Sequence, residues 1–269
     1  MTIKEAADIL RSSGVEDALG DARKIFKEIG GLKDYELISL SAKSNLPEIE
    51  SAITRRSRRE PLQYILGKVG FYRETYKVTP DCLIPRADTE ILVETAIKNL
   101  PRGKRFIDLC TGSGCVALSV LNNTEKTSAL LVDISRGALS VAKENAALLG
   151  LSDRCEFLLA DATEPLECGE AFAVLSNPPY VSDSTYEILE KEIYFEPKNA
   201  FVGGSDGGDF YRKITPIYKN KIDKDGFIAY EIGYDQGRMI EEIAKENGMS
   251  VSIVKDLSGN DRVAILRIT

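Results

Sequence analysis

Histidine is absent from all 269 residues. Imidazole base catalysis, histidine-based metal sites and Ser-His or Cys-His nucleophilic pairs are therefore excluded, and most hydrolase chemistry goes with them. Cysteine is present without a pairing pattern: Cys82, Cys110, Cys115, Cys155 and Cys168 are odd in number, show no C-x-x-C spacing and sit mostly in apolar runs. They read as buried free thiols rather than disulfides or metal ligands, and no metal is expected. No apolar stretch approaches the ~20 residues that span a bilayer, and the opening "MTIKEAADILRSSG" mixes charge with apolar residues at helical spacing. A cytoplasmic protein with no membrane partner is expected. Positive charge is in deficit: a net charge of -7 repels a polyanion, so direct DNA binding is not expected. Repeats and low-complexity tracts are also missing.

What remains is 43% hydrophobic, enough for one large α/β domain or for a large domain with a small appendage. From Thr2 to about Glu60, apolar residues recur at helical spacing (Ile3, Ala6, Ala7, Leu10, then Ile25 and Ile29), with Gly14, Gly30 and Gly31 as breaks. This predicts a small helical domain over 1–66. Its last helix begins near "NLPEIE", where Asn45 can cap and Pro47 suits the first turn, and ends in "TRRSRRE". The arginines there, Arg55, Arg56, Arg58 and Arg59, suit either an acidic or ribosome-linked partner or a solvated helix face. "KVGFYRETYKVTP" predicts a β-hairpin linker within 67–84.

Over 85–269, apolar strand-like runs alternate with helical segments, the pattern of a mostly parallel sheet covered on both faces. The expected strands are "RFIDLC", "ALLVDI", "CEFLLAD", "AFAVLSN", "GFIAYEIG", "VSIVKDL" and "RVAILRI". Helices are expected at "CVALSVLNN", "SRGALSVAKENAALLG" and "QGRMIEEIAKENG". Between the last two strands "SGND" is too short for a crossover, so those strands form an antiparallel hairpin.

"FIDLCTGSGCVAL" places Gly112, Gly114 and Ala117 in G-x-G-x-x-A spacing between a strand and a helix. Glycines there let the backbone approach a ligand at a helix N-terminus, although a tight turn without ligand uses the same residues. Asp133, ending the next strand, lies where a carboxylate accepts from a ribose diol. Asp161, ending the third strand, can accept from an exocyclic amine or cap a helix at "TEPL". The fourth strand ends in "SNPPYV".

Strand, G-x-G turn, ribose acid and N-P-P-Y together resemble the Rossmann-like S-adenosylmethionine (SAM)-dependent methyltransferases that act on planar nitrogen. "PLQYILG", "LIPRADTE", "DLCTGSG", "SNPPYV", "FEPKNAFVGGSDGGDFYRKI", "EIGYDQ" and "GNDRVAI" resemble, in order, the protein-(glutamine-N5) methyltransferases that modify class 1 peptide chain release factors. The match is dense from Glu60 onward, whereas the first sixty residues match only in being helical. Ala87 and Cys110 depart from the family, which usually has proline and glycine there. The resemblance implies a Rossmann-like sheet with a small N-terminal helical domain, SAM as cofactor and a release factor as protein substrate. It implies a SAM site of Asp108, Cys110, Thr111, Gly112, Ser113, Gly114, Asp133, Asp161, Ala162 and Asn177. Asn177, Pro178 and Tyr180 are then catalytic, and Pro179, Phe71, Arg86 and Glu196 shape the substrate pocket. For Phe71, Arg86 and Glu196, packing or ion pairing is the alternative.

The residues of N-P-P-Y suit that chemistry. A carboxamide nitrogen is a poor nucleophile because its lone pair is delocalised, strongly enough to give a rotation barrier of about 18–20 kcal/mol. As a methyl group arrives, charge grows on nitrogen and its N–H groups become stronger donors. Acceptors aimed at them favour the transition state over the substrate. Asn177 Oδ1 can be one and the Pro178 carbonyl the other, held rigid by successive prolines that also bring no competing N–H donors. Tyr180 can offer a flat face to a planar amide or adenine ring. Adenine-N6 methyltransferases use the same four residues, so that activity is the enzymatic alternative. A non-catalytic SAM-binding or release-factor-binding module is the other, and an intact Asn177 to Tyr180 argues against it.

Overall fold

The computed structural model describes residues 1–269. Contacts divide the chain into two units: Met1–Val69 with Glu190–Phe195, and Gly70–Leu189 with Glu196–Thr269.

The first unit contains α1 (Ile3–Ser12), α2 (Ala18–Glu28), α3 (Pro47–Ser57) and α4 (Leu62–Leu66). Thr2 and Glu5 start α1 with a reciprocal capping box, each side chain accepting from the other's backbone amide. The apolar faces bury Ile3, Leu10, Ile25, Phe26, Ile49 and Ile53 in one core. Two expectations are corrected. Asn45 does not cap α3: Pro47 is its first residue, so Leu46 takes the cap position with no side-chain bond, and the proline brings no N–H that needs one. Nor is α3 the last helix, since α4 follows and ends at Gly67 in the left-handed conformation.

The arginine run is largely consumed internally. Arg56 pairs with Asp21 at 2.7 Å and with Glu192 at 3.1 Å, and Arg59 with Glu192 at 2.6 Å. Arg55 pairs with Glu60. These bonds give the segment 190–195, read from sequence as part of the larger domain, its place in the helical unit. Arg55 and Arg58 are the exposed members of the run.

β1 (Lys68–Phe71) and β2 (Glu74–Lys77) form a two-stranded sheet. Within the second unit, Tyr76 Oη lies 2.7 Å from Ser119 Oγ, Asn122 Nδ2 donates to Glu74, and Asn145 bonds both the amide and the carbonyl of Lys77. The stretch from Gly70 is thus an integral part of that unit rather than a free linker.

The rest of the second unit runs α5 (Glu90–Asn99), β3 (Arg105–Leu109), α6 (Cys115–Asn122), β4 (Ser128–Asp133), α7 (Arg136–Leu148), β5 (Cys155–Leu159), β6 (Ala171–Ser176), α8 (Asp183–Tyr186), α9 (Asp209–Tyr218), β7 (Ile222–Glu231), α10 (Gly237–Glu246), β8 (Met249–Lys255) and β9 (Asp261–Ile268). The sheet order is β5-β4-β3-β6-β7-β9-β8, parallel except for β9. β9 inserts between β7 and β8, so the antiparallel strand is internal and not at the edge. β6 is buried along its whole length, as expected of a central parallel strand covered on both faces. The chain moves outward from β3 through β4 to β5, then returns to lay β6 on the other side of β3. β3 and β6 therefore form a topological switch point, and the crevice outside their carboxyl ends is where open α/β sheets bind ligands.

Candidate active site

The turn after β3 carries three residues with positive φ: Cys110 at 57°, Gly112 at 56° and Gly114 at 81°. The two glycines serve different ends. A Cβ on Gly114 would lie 3.1 Å from Leu118 and 3.2 Å from Ala142, so its bareness lets α6 pack closely. A Cβ on Gly112 would meet no protein atom within 4 Å, and Gly112 borders a cavity of about 310 Å³, within the usual ~300–1,000 Å³ of small-molecule sites. Cys110 holds a left-handed conformation that costs an L-residue ~1–2 kcal/mol, which explains why glycine is the easier residue there. Burial pushes its thiol, like that of Cys115, well above the ordinary range.

Four carboxylates line the same cavity, Asp81, Asp133, Asp161 and Asp209, and two of them, Asp133 ending β4 and Asp161 following β5, stand as expected. Asp133 Oδ2 accepts from Gly112 N and Oδ1 from Ser135 N, both at 2.8 Å, which locks the carboxyl against the turn. Burial raises its pKa, and these amide bonds oppose the rise. Asp161 Oδ1 accepts from the amide and hydroxyl of Thr163, each at 2.8 Å, and Ala162 lines the cavity beside it. No helix begins at "TEPL", so the bonds are those of a local Asx turn and the capping alternative is set aside.

Asp108, near the end of β3, is 1% exposed and accepts from Thr111 Oγ1 at 2.5 Å. Burial raises its pKa from 3.8 to about 7. With Thr111, Ser113, Arg86 and Thr89 it lines a small recess of about 30 Å³ that shares Cys110, Gly112 and Asn177 with the main cavity. Asn177, directly after β6, thus borders both spaces. Its Nδ2 donates to Thr89 Oγ1 at 3.1 Å, leaving Oδ1 as the free acceptor of the amide.

The remaining expected residues take different places. Pro179 lines the cavity, whereas Pro178 is buried outside its lining. Tyr180 does not reach it: its side chain packs on the main core and its hydroxyl donates to Glu231 Oε1 at 3.1 Å. The partly buried ring therefore does not offer the cavity the flat face expected for a substrate. Phe71 is 3% exposed and packs edge-on against Tyr76 at 5.9 Å, a packing role away from the cavity. Arg86 and Glu196 form an ion pair, and Glu196 Oε2 also accepts from Ile84 N at 2.9 Å. Glu196 therefore anchors the 84–86 segment, and only Arg86 reaches the recess.

Sequence reasoning did not assign Thr89, Glu231, Gln236 or the loop 201–208 to the site. Val202 forms a parallel bridge with Val181, and Gln236 Nε2 donates to Tyr180 O at 2.9 Å. A Cβ on Gly203 would sit 2.4 Å from Pro179 O, and one on Gly207 2.1 Å from Tyr180 O. These glycines let the loop press on the backbone of the N-P-P-Y turn. Their signal was "VGGSDGG", whose purpose only the folded turn explains.

Residues 2–67 match the PrmC N-terminal domain, and residues 87–200 match the methyltransferase small domain. A ribosomal protein L11 methylase from Lactobacillus delbrueckii subsp. bulgaricus shares the fold, with a TM-score of 0.52 at 20% identity over 68% of this chain and 81% of that one. The fold, the cleft at its switch point and the matched domain define a Rossmann-like methyltransferase. A release factor glutamine methyltransferase from Caulobacter vibrioides is 36% identical over 97% of this chain and 93% of its own length. Another from Thermodesulfovibrio yellowstonii is 40% identical over 81% of this chain and 80% of its own. The chain belongs to the release factor glutamine methyltransferase family.

Proposed function

We propose that this protein transfers a methyl group from SAM to the side-chain amide nitrogen (N5) of the glutamine in the Gly-Gly-Gln loop of class 1 peptide chain release factors, in the cytoplasm. No helix is long and apolar enough to cross a membrane. The observation that carries the reading is the Asn177 amide, which gives one N–H to Thr89 and whose Oδ1 accepts no bond, at the border of a cavity built from Gly112, Asp133 and Asp161.

The residues present fit SAM. The unfilled Cβ direction at Gly112 leaves room for a ligand against the backbone, Asp133 suits a ribose diol, and Asp161 suits an adenine amine. Asp108, Cys110, Thr111, Ser113, Gly114 and Ala162 complete the cradle. When bound, SAM would supply a methyl group already activated on a sulfonium, which departs as a neutral thioether, while the methylated nitrogen gives up one proton to become the N-methyl amide. The protein's own task is then to orient the amide and stabilise charge on its nitrogen, which needs neither metal nor histidine. Asn177 Oδ1 accepts from one of the substrate's N–H groups, with the Pro178 carbonyl, next in the chain but outside the cavity lining, as the second acceptor, and these bonds strengthen as nitrogen becomes cationic. The prolines, Gly203, Gly207 and Gln236 hold the turn so that little reorganises during transfer. Tyr180 contributes by anchoring the turn through Glu231. The helical unit serves to dock the release factor.

Mass spectrometry tests the reading. A class 1 release factor incubated with enzyme and SAM gains one methyl group on that glutamine, and duplex DNA gains none. Methylated adenine with an unmodified release factor would instead establish the adenine activity.

A further inference from the structure

Beside the active site lies an open groove of about 700 Å³ that the chemistry at Asn177 does not use. The helical turn Ala87–Thr89 divides the two: Thr89 lines the recess at Asn177, whereas Ala87 and Asp88 line the groove. α5 forms one bank and the turn between β8 and β9 the other. Half-buried Ile91 and Val254, with buried Ile265, give the groove an apolar lining. Its shape does not depend on a partner. Arg262 ties the banks together, pairing with Asp88 at 3.2 Å and with Asp256 at 3.3 Å. Asp256 Oδ1 accepts from Ser258 N and Asn260 N, each at 2.9 Å, which fixes the turn that carries Leu257. Leu257 also lines the groove and is fully exposed. A lone exposed leucine is ordinary on a protein surface. Here, however, a well-bonded turn holds one at the edge of an apolar groove next to the reacting amide, which is how a preorganised binding anchor is built.

Charge says what that anchor meets. Four carboxylates, Asp88, Glu90, Glu94 and Asp256, line the groove with two lysines, Lys98 and Lys255. Arg262 answers Asp88 and Asp256, and Lys255 is held by Asp261 at 2.8 Å. Glu90 and Glu94 are then set against Lys98 alone, an acid excess that repels a phosphate backbone and attracts cationic side chains of a polypeptide. We propose that this groove docks the release-factor segment next to the Gly-Gly-Gln loop, taking an apolar side chain against Leu257 and a cationic one against Glu90 and Glu94. The inference rests on the release-factor substrate proposed above, and it adds a contact on the methyltransferase unit to the docking assigned to the helical unit. A chain whose glutamine lies at Asn177 meets the groove on the far side of the 87–89 turn, so the same segment serves both.

The test uses the full chain with an intact class 1 release factor and compares wild type, Leu257→Asp, Glu94→Lys and Leu148→Asp, the last a control at an exposed leucine ending α7 outside the groove and the cavity. KM and kcat for the release factor at saturating SAM, SAM affinity and thermal midpoint are measured for each. Leu257→Asp and Glu94→Lys are each expected to raise KM roughly tenfold, the scale of one well-placed interface residue. Their kcat, SAM affinity and thermal midpoint stay near wild type, because only binding common to substrate and transition state is lost. Leu148→Asp changes none of these. Wild-type KM rises with salt, and the rise is shallower in Glu94→Lys. An unchanged KM in either groove variant, or a fall in kcat or SAM affinity in place of a higher KM, would overturn the inference. So would a wild-type dimer that Leu257→Asp dissociates in sedimentation, which would give the groove to a second copy, or duplex DNA bound more tightly by wild type than by Leu257→Asp, which would give it to nucleic acid. A wild-type enzyme that leaves the release factor unmethylated would overturn the proposed function instead.

Discussion

Asn177 Nδ2 donates to Thr89 Oγ1 at 3.1 Å, a bond between the end of β6 and a residue 88 positions earlier in the chain. It turns an amide at a strand end into a directed acceptor, because one N–H of its NH₂ is held by Thr89 and Oδ1 is not engaged. The sequence places Asn177 before two prolines but gives Thr89 only as part of the motif "LIPRADTE", with no role of its own.

Asp133→Ala is expected to weaken SAM binding by roughly 1.5–3 kcal/mol, the usual worth of a hydrogen bond to a charged group. The structure adds a second effect, since the amides of Gly112 and Ser135 lose their acceptor and the turn loosens. Calorimetry on the folded variant measures the loss, and unchanged affinity would remove Asp133 from the site.

Position 110 should invert the ordinary order of alanine and glycine. Glycine in a regular position usually destabilises by ~0.5–1 kcal/mol relative to alanine, but at φ 57° alanine carries left-handed strain of ~1–2 kcal/mol. Cys110→Gly is therefore expected to be at least as stable as Cys110→Ala. Denaturant midpoints decide, and a clearly more stable alanine variant would show that the turn relaxes.

Asp108 makes ligand-free stability fall with rising pH. Its folded pKa, about 7, lies above its ordinary 3.8, so between those values the folded protein holds a proton that the unfolded chain has released. The favourable contribution is full below pH 3.8 and is lost as pH rises through 7, up to about 4 kcal/mol at 1.36 kcal/mol per pH unit. Denaturation from pH 5 to 8 should show a downward slope in wild type that is flatter in Asp108→Asn. Equal slopes would mean that Asp108 is ionised throughout.

A chain starting at Gly70 is expected to bind SAM but to methylate intact release factor poorly, because the helical unit is the proposed docking element. Starting near Pro80 removes the contacts of Glu74, Tyr76 and Lys77 with α6 and α7, and is expected to lower the thermal midpoint as well. Full-speed methylation by the Gly70 truncation would remove the docking role.

Local pattern carried much of the fold. β3 to β9 and three of the covering helices were legible because apolar runs, glycine turns and the short "SGND" connection each constrain the chain locally. α9 was not, since Pro216 interrupts an otherwise helical pattern near its end. The insertion of β9 between β7 and β8 is a pairing choice that local signals do not express. In the site, Gly112, Asp133, Asp161 and Asn177 were legible because strand ends gather at one edge. Phe71, which the resemblance implied and for which packing was the alternative, is buried against Tyr76, and the partly buried Tyr180 packs on the core and does not line the cavity. Glu196 acts through Ile84 and Arg86, a contact across more than a hundred residues that no sequence spacing reveals.

The central claim is that Asn177 stabilises charge on the substrate nitrogen, and single-turnover methylation by Asn177→Ala at saturating SAM, with SAM affinity measured alongside, tests it most directly. The account predicts a rate loss of roughly 10²–10³, or about 2.7–4 kcal/mol, with a smaller effect on SAM binding. A near wild-type rate accompanied by poor SAM binding would make Asn177 a cofactor contact and contradict the account.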